Sequence, residues 1–342
     1  PRGKGKADGA LHSVKPVNLV AGLMTALQRR SDLDTSQVDD VVLGCVTPVG
    51  DQGADIAKTA ALVADCDISV AGVQINRFCA SSVQTARMAF HAIRVGEGDV
   101  FVSAGVECVS RYTGFGGAGV DPATTHNPRF AAAQARSQVY AETNRRWHDP
   151  RQEGQLPDIY LQMGQTAENV ATLCGVTRRE QDEFAVLSQN RAEQAVKDGF
   201  YAREITPISL PDGRVVDTDD GPRPGTTYEK VASLPPVFRP EGTITAGNCC
   251  PLNDGAAAVV IMSDTRARGL GLTPLARVVA TAASALSPEI MGLGPVEATR
   301  RVVARTGITI DDIDLVEINE AFAAQVVPSA QQLGIPYDTL NV

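Results

Sequence analysis

One cysteine stands where the local pattern of this chain changes. In "VQINRFCASSVQTARMAF" (73–90), Val73 and Ile75 alternate as in a strand, while Val83, Ala86, Phe90 and Ile93 recur at helical spacing. Cys79 therefore falls at a strand-to-helix junction, near the first helical turn. The unpaired N–H groups and the positive end of the dipole at such a point favour an anion. A free thiol ionises at about 8.5, helix N-termini lower that value, and the thiolate is the nucleophile. Ala80, Ser81 and Ser82 are small and leave room for a substrate to approach. The competing reading is a packing residue, because free cysteine is among the most buried residue types. The other reactive groups are sparse. Seven cysteines follow no framework spacing and form no CxxC pair, which fits reduced thiols in a cytosol-like compartment. His12, His91, His126 and His148 are the only histidines, none four residues from another, so no metal site is expected.

The elements that must position Cys79 read as an α/β protein. A chain of 342 residues is long for one simple core, and 43% apolar with 21% charged residues is ordinary for a globular protein. A net charge of −9 argues against nucleic acid as the main partner, though it leaves room for a local basic pocket and an anionic substrate. No run approaches the roughly 20 apolar residues of a membrane span. No signal peptide is visible, but the chain opens at "PRGKGKADG" without a methionine, so an N-terminal piece can be missing. "VDDVVLGCV" (38–46), "IDDIDLVEIN" (310–319) and "GAAAVVIMSD" (255–264) read as strands. The first two each follow a helical pattern and a pair of aspartates, Asp39-Asp40 and Asp311-Asp312, which points to a duplicated half. Between them the texture is loop-rich. "YTGFGGAGVDPATTHNPR" and "DGRVVDTDDGPRPGTT" read as loops around two helices, "MGQTAENVATLCG" and the segment from the capping Thr177 to Gly199. Two similar α/β halves with a large excursion from the first is the expected architecture.

Three stretches together carry a family resemblance. "NRFCASS" around Cys79 resembles the acyl-enzyme motif of the thiolases, "EINEAFAAQ" (317–325) their Asn-Glu-Ala-Phe motif, and "TAGNCCPLNDGAAAVVIMS" (245–263) their Thr-Ala-Gly-Asn segment. The order is that of the family and the resemblance spans nearly the whole chain. It implies a thiolase fold, two α/β halves in a five-layered α-β-α-β-α arrangement with an inserted loop domain. The expected boundaries are 1–111 with 241–268 for the first half, 112–240 for the insertion and 269–342 for the second half. It also implies a reaction in which Cys79 attacks the keto carbon of a 3-ketoacyl-CoA, acetyl-CoA leaves as an enolate, and coenzyme A collects the shortened acyl group. Run backwards this is a Claisen condensation. Coenzyme A is then a substrate, and no cofactor is expected.

The same resemblance assigns roles by position. Asn319 matches an asparagine that holds a water at an oxyanion site; without the motif it reads instead as a strand-end residue capping a helix from Glu320. Phe322 matches a residue lining the acyl or pantetheine tunnel, or is a core phenylalanine. Arg223 matches an arginine beside the adenine and phosphate end of coenzyme A. Gln162 and Met163 match positions near the pantetheine arm, and Ala246 and Cys250 positions that touch its amide. The chain departs from the pattern at Cys250 and Pro251, where serine and glycine are usual. A thiol is a poorer hydrogen-bond partner than a hydroxyl, and proline removes an N–H. Family members continue past a Leu-Asn-Val strand into Gly-His-Pro and Cys-x-Gly motifs, whose His activates the nucleophile and whose Cys moves the enolate proton. This chain stops at Leu340-Asn341-Val342, which reads as truncation. Two other readings compete: a ketoacyl-synthase-like condensing enzyme, and a non-catalytic acyl-CoA-binding protein on the same fold. Relatives imply a homodimer or homotetramer, with a hydratase/dehydrogenase subunit as a possible partner, and a cytoplasmic protein of lipid metabolism or fatty acid β-oxidation.

Overall fold

The computed structural model describes residues 1–112 and 125–342; most of the glycine-rich loop expected at 112–129 lies outside the described residues. These fall into two compact units, residues 1–112, 199–221 and 251–278, and residues 125–198, 222–250 and 279–342.

The first unit is built on a five-stranded mixed sheet. Its strands are β1 (Gly3–Lys4), β2 (Asp40–Gly44), β3 (Ala71–Ile75), β4 (Val100–Cys108) and the later strand Asn253–Met262, in the order β1, Asn253–Met262, β4, β2, β3. β2 runs parallel to both β3 and β4, and Asn253–Met262 pairs antiparallel with β4 over its whole length. The pleat sends alternate residues to opposite faces. Val41, Leu43, Val100, Val102, Ala104 and Val106 join α1 (Pro16–Ser31) and α2 (Ile56–Val63) in one core, while Val42, Phe101 and Val73 pack with α3 (Ser81–Val95). The unit is thus three layers, with helices on both faces. Gly44 lies at the C-terminal end of β2, and its paired neighbours are Ile75 and Gly105.

The second unit is mainly helical. It contains α4 (Ala131–Thr143), α5 (Met163–Cys174), α6 (Arg178–Lys197), α7 (Gly294–Thr306) and α8 (Ala323–Leu333). Thr177 opens α6 with a reciprocal capping box to Glu180, as its sequence implies. Small residues let α8 sink into the unit, and Ala323 to Ala330 are all buried despite Pro328 within the helix. A buried carboxylate organises the region around α4 and α5. Glu289, 2% exposed, accepts from Arg136 at 2.8 Å, the Asp158 N–H at 2.8 Å and Trp147 Nε1 at 2.8 Å.

Two local readings are corrected. Residues 310–319 do not form a strand ladder. Thr309 caps Asp312 reciprocally and winds Ile310–Asp312 into a 3-10 turn, so the aspartate pair serves the turn, and Val316 makes only an isolated bridge to Leu340. In the first unit the matching turn, Thr35–Gln37, precedes its aspartate pair, and there Asp40 does enter a strand. The buried face of α3 is also different. Ser81, Thr85 and Ala89 face inward, while Val83 is 66% exposed. No helix among the described residues is long and apolar enough to cross a membrane.

Candidate active site

Cys79 sits in a strained elbow between β3 and α3. The residue before it, Phe78, holds φ at 48°, a left-handed conformation uncommon for a bulky side chain. Strain of this kind persists only where the surroundings over-determine it. Here Asn76 Oδ1 accepts from the Phe78 N–H at 2.7 Å, and Asn76 Nδ2 reaches the Val46 carbonyl at 2.8 Å. Ser81 Oγ donates to the Phe78 carbonyl at 2.7 Å and accepts from the Arg77 N–H at 2.8 Å. The Ala80 and Ser81 N–H groups close the turn onto Arg77 and Phe78. Cys79 is left exposed one residue before the Ala80 cap of α3.

The inward face of α3 explains why Gly44 ends its strand. A Cβ built on Gly44 would lie 2.8 Å from Ser81 Cβ and 2.9 Å from the Ser81 carbonyl carbon, inside any real contact. One on its partner Gly105 would lie 2.1 Å from Ser82 Oγ. Two paired glycines therefore let the start of α3 touch the sheet, and Thr85 Oγ1 then meets Ser103 Oγ at 2.7 Å. Periodicity within 81–95 does not contain this information, because the clearance lies on strands far away in the sequence. Gly44→Ala is expected to force the elbow outward and cost about 1–3 kcal/mol. Thermal unfolding with iodoacetamide labelling of Cys79 checks this; an unchanged midpoint and labelling rate would show that the spacing is not needed.

Electrostatics at the sulfur run against the expectation from the helix terminus. Surrounding protein raises the Cys79 thiol above its ordinary value; a hydrogen bond from its own backbone opposes this, and the Glu107 carboxylate adds to the rise. Desolvation, the largest influence on the sulfur, outweighs what favours the thiolate there. A base must take its proton for it to react at neutral pH. Among the described residues no histidine is hydrogen-bonded to it; His12, for one, is engaged with Ser110 Oγ at 2.9 Å. Glu107 is held by the Val46 N–H, Gln52 Nε2 and Tyr112 Oη, and the fully buried Gln52 also accepts from the Cys108 N–H. Burial pushes the Cys45 thiol up to about 12, so it is a packing cysteine. None of the seven cysteines is in a disulfide, the neighbours Cys249 and Cys250 included.

The other sequence-derived candidates lie in the second unit. Phe322 and Met163 meet in one small core with Phe238, Cys249 and Ala321, and the Phe322 and Phe238 rings stand edge to face at 6.3 Å. Phe322 is buried, 8% exposed. Gly164 permits this closeness, since a Cβ there would overlap the Phe238 ring. The Cys249–Cys250 segment is bridged to the Asn-Glu-Ala-Phe stretch. The Ala323 N–H donates to the Asn248 carbonyl and the Cys250 N–H to the Ala321 carbonyl, both at 2.9 Å. Ala246, Cys250 and Gln162 are exposed. Arg223 is exposed on its loop; its backbone N–H is held by Gln189 Oε1 at 3.0 Å, and its charge partly offsets the rise that burial imposes on the Cys249 thiol.

Asn319 does not cap a helix. α8 begins four residues later, with Phe322 as its cap. Asn319 is exposed, and its carboxamide makes no hydrogen bond among the described residues, while the backbone on both sides is tied down. The residues that tie it, Ser188, Gln325 and Asn341, were not singled out from sequence, because only the fold brings them to it. Among the described residues no cluster of three or more His, Cys, Asp or Glu side chains is placed to hold a metal.

The chain matches the family models of the thiolase N-terminal domain over residues 3–265 and the thiolase C-terminal domain over residues 272–342. It is 40% identical over 345 residues to the 3-oxoadipyl-CoA/3-oxo-5,6-dehydrosuberyl-CoA thiolase of Escherichia coli strain K12, covering 99% of this chain and 83% of that protein. It is 38% identical over 344 residues to the acetyl-CoA acetyltransferase of Pseudomonas aeruginosa, with 99% and 83% covered. Among solved structures, the Bacillus anthracis acetyl-CoA acetyltransferase aligns with a TM-score of 0.84 and 34% identity, over 100% of this chain and 82% of that one.

Proposed function

This chain belongs to the thiolase family, and from that premise we propose that it cleaves 3-ketoacyl-CoA with coenzyme A, through an acyl group held on Cys79. The observation that carries the reading is the Cys79 elbow: an exposed residue, its sulfur partly desolvated, on a strained, doubly braced turn at the start of a helix.

The steps follow from the chemistry of the groups. The Cys79 thiol loses its proton to a base and adds to the 3-keto carbon. The bond between C2 and C3 of the substrate breaks, and its electron pair leaves on the acetyl-CoA enolate, which takes up a proton. The thiolate of coenzyme A then adds to the acyl-cysteine thioester, and the Cys79 sulfur leaves. Each oxyanion along the way needs hydrogen-bond donors, and Asn319 is assigned to hold a water at one such site. Arg223 is assigned to the phosphates of coenzyme A. Gln162, Met163, Ala246 and Cys250 are assigned to the pantetheine arm, and Phe322 to the wall behind it. Coenzyme A is a substrate, and the chemistry calls for no further cofactor.

The relatives' names divide between 3-oxoadipyl-CoA, 3-ketoacyl-CoA and acetyl-CoA, so the acyl group is the open part of the reading. A 3-oxoadipyl group carries a terminal carboxylate, and a preference for it would place the protein in aromatic degradation; a preference for simple chains would fit β-oxidation. We assign it to the cytoplasm as a homodimer or homotetramer, with halves 1–111 plus 241–268 and 269–342 around the inserted 112–240. The test is a thiolysis assay with acetoacetyl-CoA, a longer 3-ketoacyl-CoA and 3-oxoadipyl-CoA, each with and without coenzyme A. Cleavage that depends on coenzyme A is expected for at least one. A folded protein that binds coenzyme A and cleaves none of them is an acyl-CoA binder, and one that works only on acyl-carrier protein is a ketoacyl synthase.

A further inference from the structure

We propose that Asn341 is a positioning residue that holds the Asn319 carboxamide in place for the reaction; the inference rests on the functional reading above. Asn341 adopts a left-handed backbone, φ 52°, which asparagine tolerates better than most residues. Its side chain then pairs with the Ile318 backbone. Oδ1 accepts from the Ile318 N–H at 2.8 Å, and Nδ2 donates to the Ile318 carbonyl at 2.9 Å. The same Nδ2 reaches Glu320 Oε1 at 2.7 Å, and Glu320 Oε2 accepts from Ser188 Oγ at 2.5 Å. The Asn341 N–H closes the loop onto the Val316 carbonyl at 2.8 Å.

The residues around Asn319 are thus fixed one after another. Ile318 is held through both of its peptide groups and Glu320 through both carboxylate oxygens. The Asn319 carbonyl itself accepts from Gln325 Nε2 at 2.8 Å. Among the described residues the Asn319 carboxamide has no hydrogen-bond partner, and the residue is exposed. A side chain used for packing or capping would be engaged; this one is presented while its backbone is immobilised. The Asn341 side chain thus supplies Ile318 with both a donor and an acceptor. A carboxylate cannot replace it, because it only accepts and would face both the Ile318 carbonyl and Glu320.

The test is steady-state thiolysis by the full chain and three variants, each first checked by circular dichroism and thermal unfolding. N341G keeps the left-handed backbone and removes the clamp. It is expected to lower kcat about 10- to 100-fold with KM for coenzyme A little changed, as a misplaced group does. N319A is expected to lose about 10²- to 10³-fold. The double variant N341G/N319A is expected to lose no more than N319A, because Asn341 acts through Asn319. N341D, with the same shape, carries the test if N341G fails to fold, and should also lower kcat. Parental kcat in folded N341G or N341D, or losses that multiply in the double variant, would overturn the inference alone. A parent that turns over no 3-ketoacyl-CoA would remove the functional reading, and the inference with it.

Discussion

Replacing Cys79 with alanine is expected to lower thiolysis by at least about 10⁴-fold, while the protein folds and still binds coenzyme A. The size follows from the mechanism. Without the sulfur no acyl-enzyme forms, and two manageable displacements collapse into one carbon–carbon cleavage without a nucleophile. The elbow itself should survive, because Asn76 and Ser81 brace Phe78 through backbone groups that the substitution leaves in place. The matching positive experiment uses the parent chain, acetoacetyl-CoA and no free coenzyme A, read by intact mass and peptide mapping. One acetyl group should appear on Cys79 and disappear when coenzyme A is added. Cys250 is also exposed and serves as the internal control. Acetylation there and not at Cys79, or equal turnover by Cys79→Ala, would refute the assignment. The raised thiol sharpens the expectation: acylation should gain with pH as the sulfur ionises, since its thiolate is scarcer at neutrality than that of a free cysteine.

The largest expected effect on stability lies elsewhere in the chain. Glu289→Ala is expected to destabilise by about 3 to 5 kcal/mol, because it strips the partner from three donors that are shielded from water. Arg136 would keep Gln155 and the Leu156 carbonyl but lose its counter-ion. The Trp147 indole N–H and the Asp158 N–H would lose the acceptors they have. Glu289→Gln separates charge from geometry. Its amide oxygen can still accept from Arg136 and the Asp158 N–H, but its NH₂ group would face the Trp147 donor, so an intermediate loss is expected. Urea unfolding followed by the fluorescence of Trp147, the single tryptophan, reads the region directly. A midpoint for Glu289→Ala equal to that of the parent would mean the network contributes nothing net, as some buried ion pairs do.

Where sequence and structure agree, the reason is local. The change from two-residue to helical periodicity around residue 79 comes from neighbours in the chain, so the strand, the junction and the helix were all legible. The same holds for β2, for α5 and for the capped start of α6. Where they part, the deciding partner is distant. Asp311 and Asp312 look like Asp39 and Asp40, but a turn captures one pair and the start of an interior strand the other. α3 shows an apolar stripe in sequence, yet turns Ser81, Thr85 and Ala89 inward because Gly44 and Gly105, on two other strands, leave only a shallow gap.

The candidate site divides the same way. The identities of Cys79 and Asn319 are written in short motifs, because a nucleophile and a carboxamide are defined by their own atoms. Whether each is usable was decided in three dimensions. The environment of Cys79 raises its thiol, which no helix-terminus argument foresaw, since desolvation depends on everything packed around the sulfur. Among the described residues the Asn319 carboxamide has no partner, while Asn341, Gln325 and Ser188 occupy the groups beside it. Residue type set which chemistry was available; the folding together of segments far apart in the chain set the protonation and the orientation, because fields and hydrogen bonds act through space.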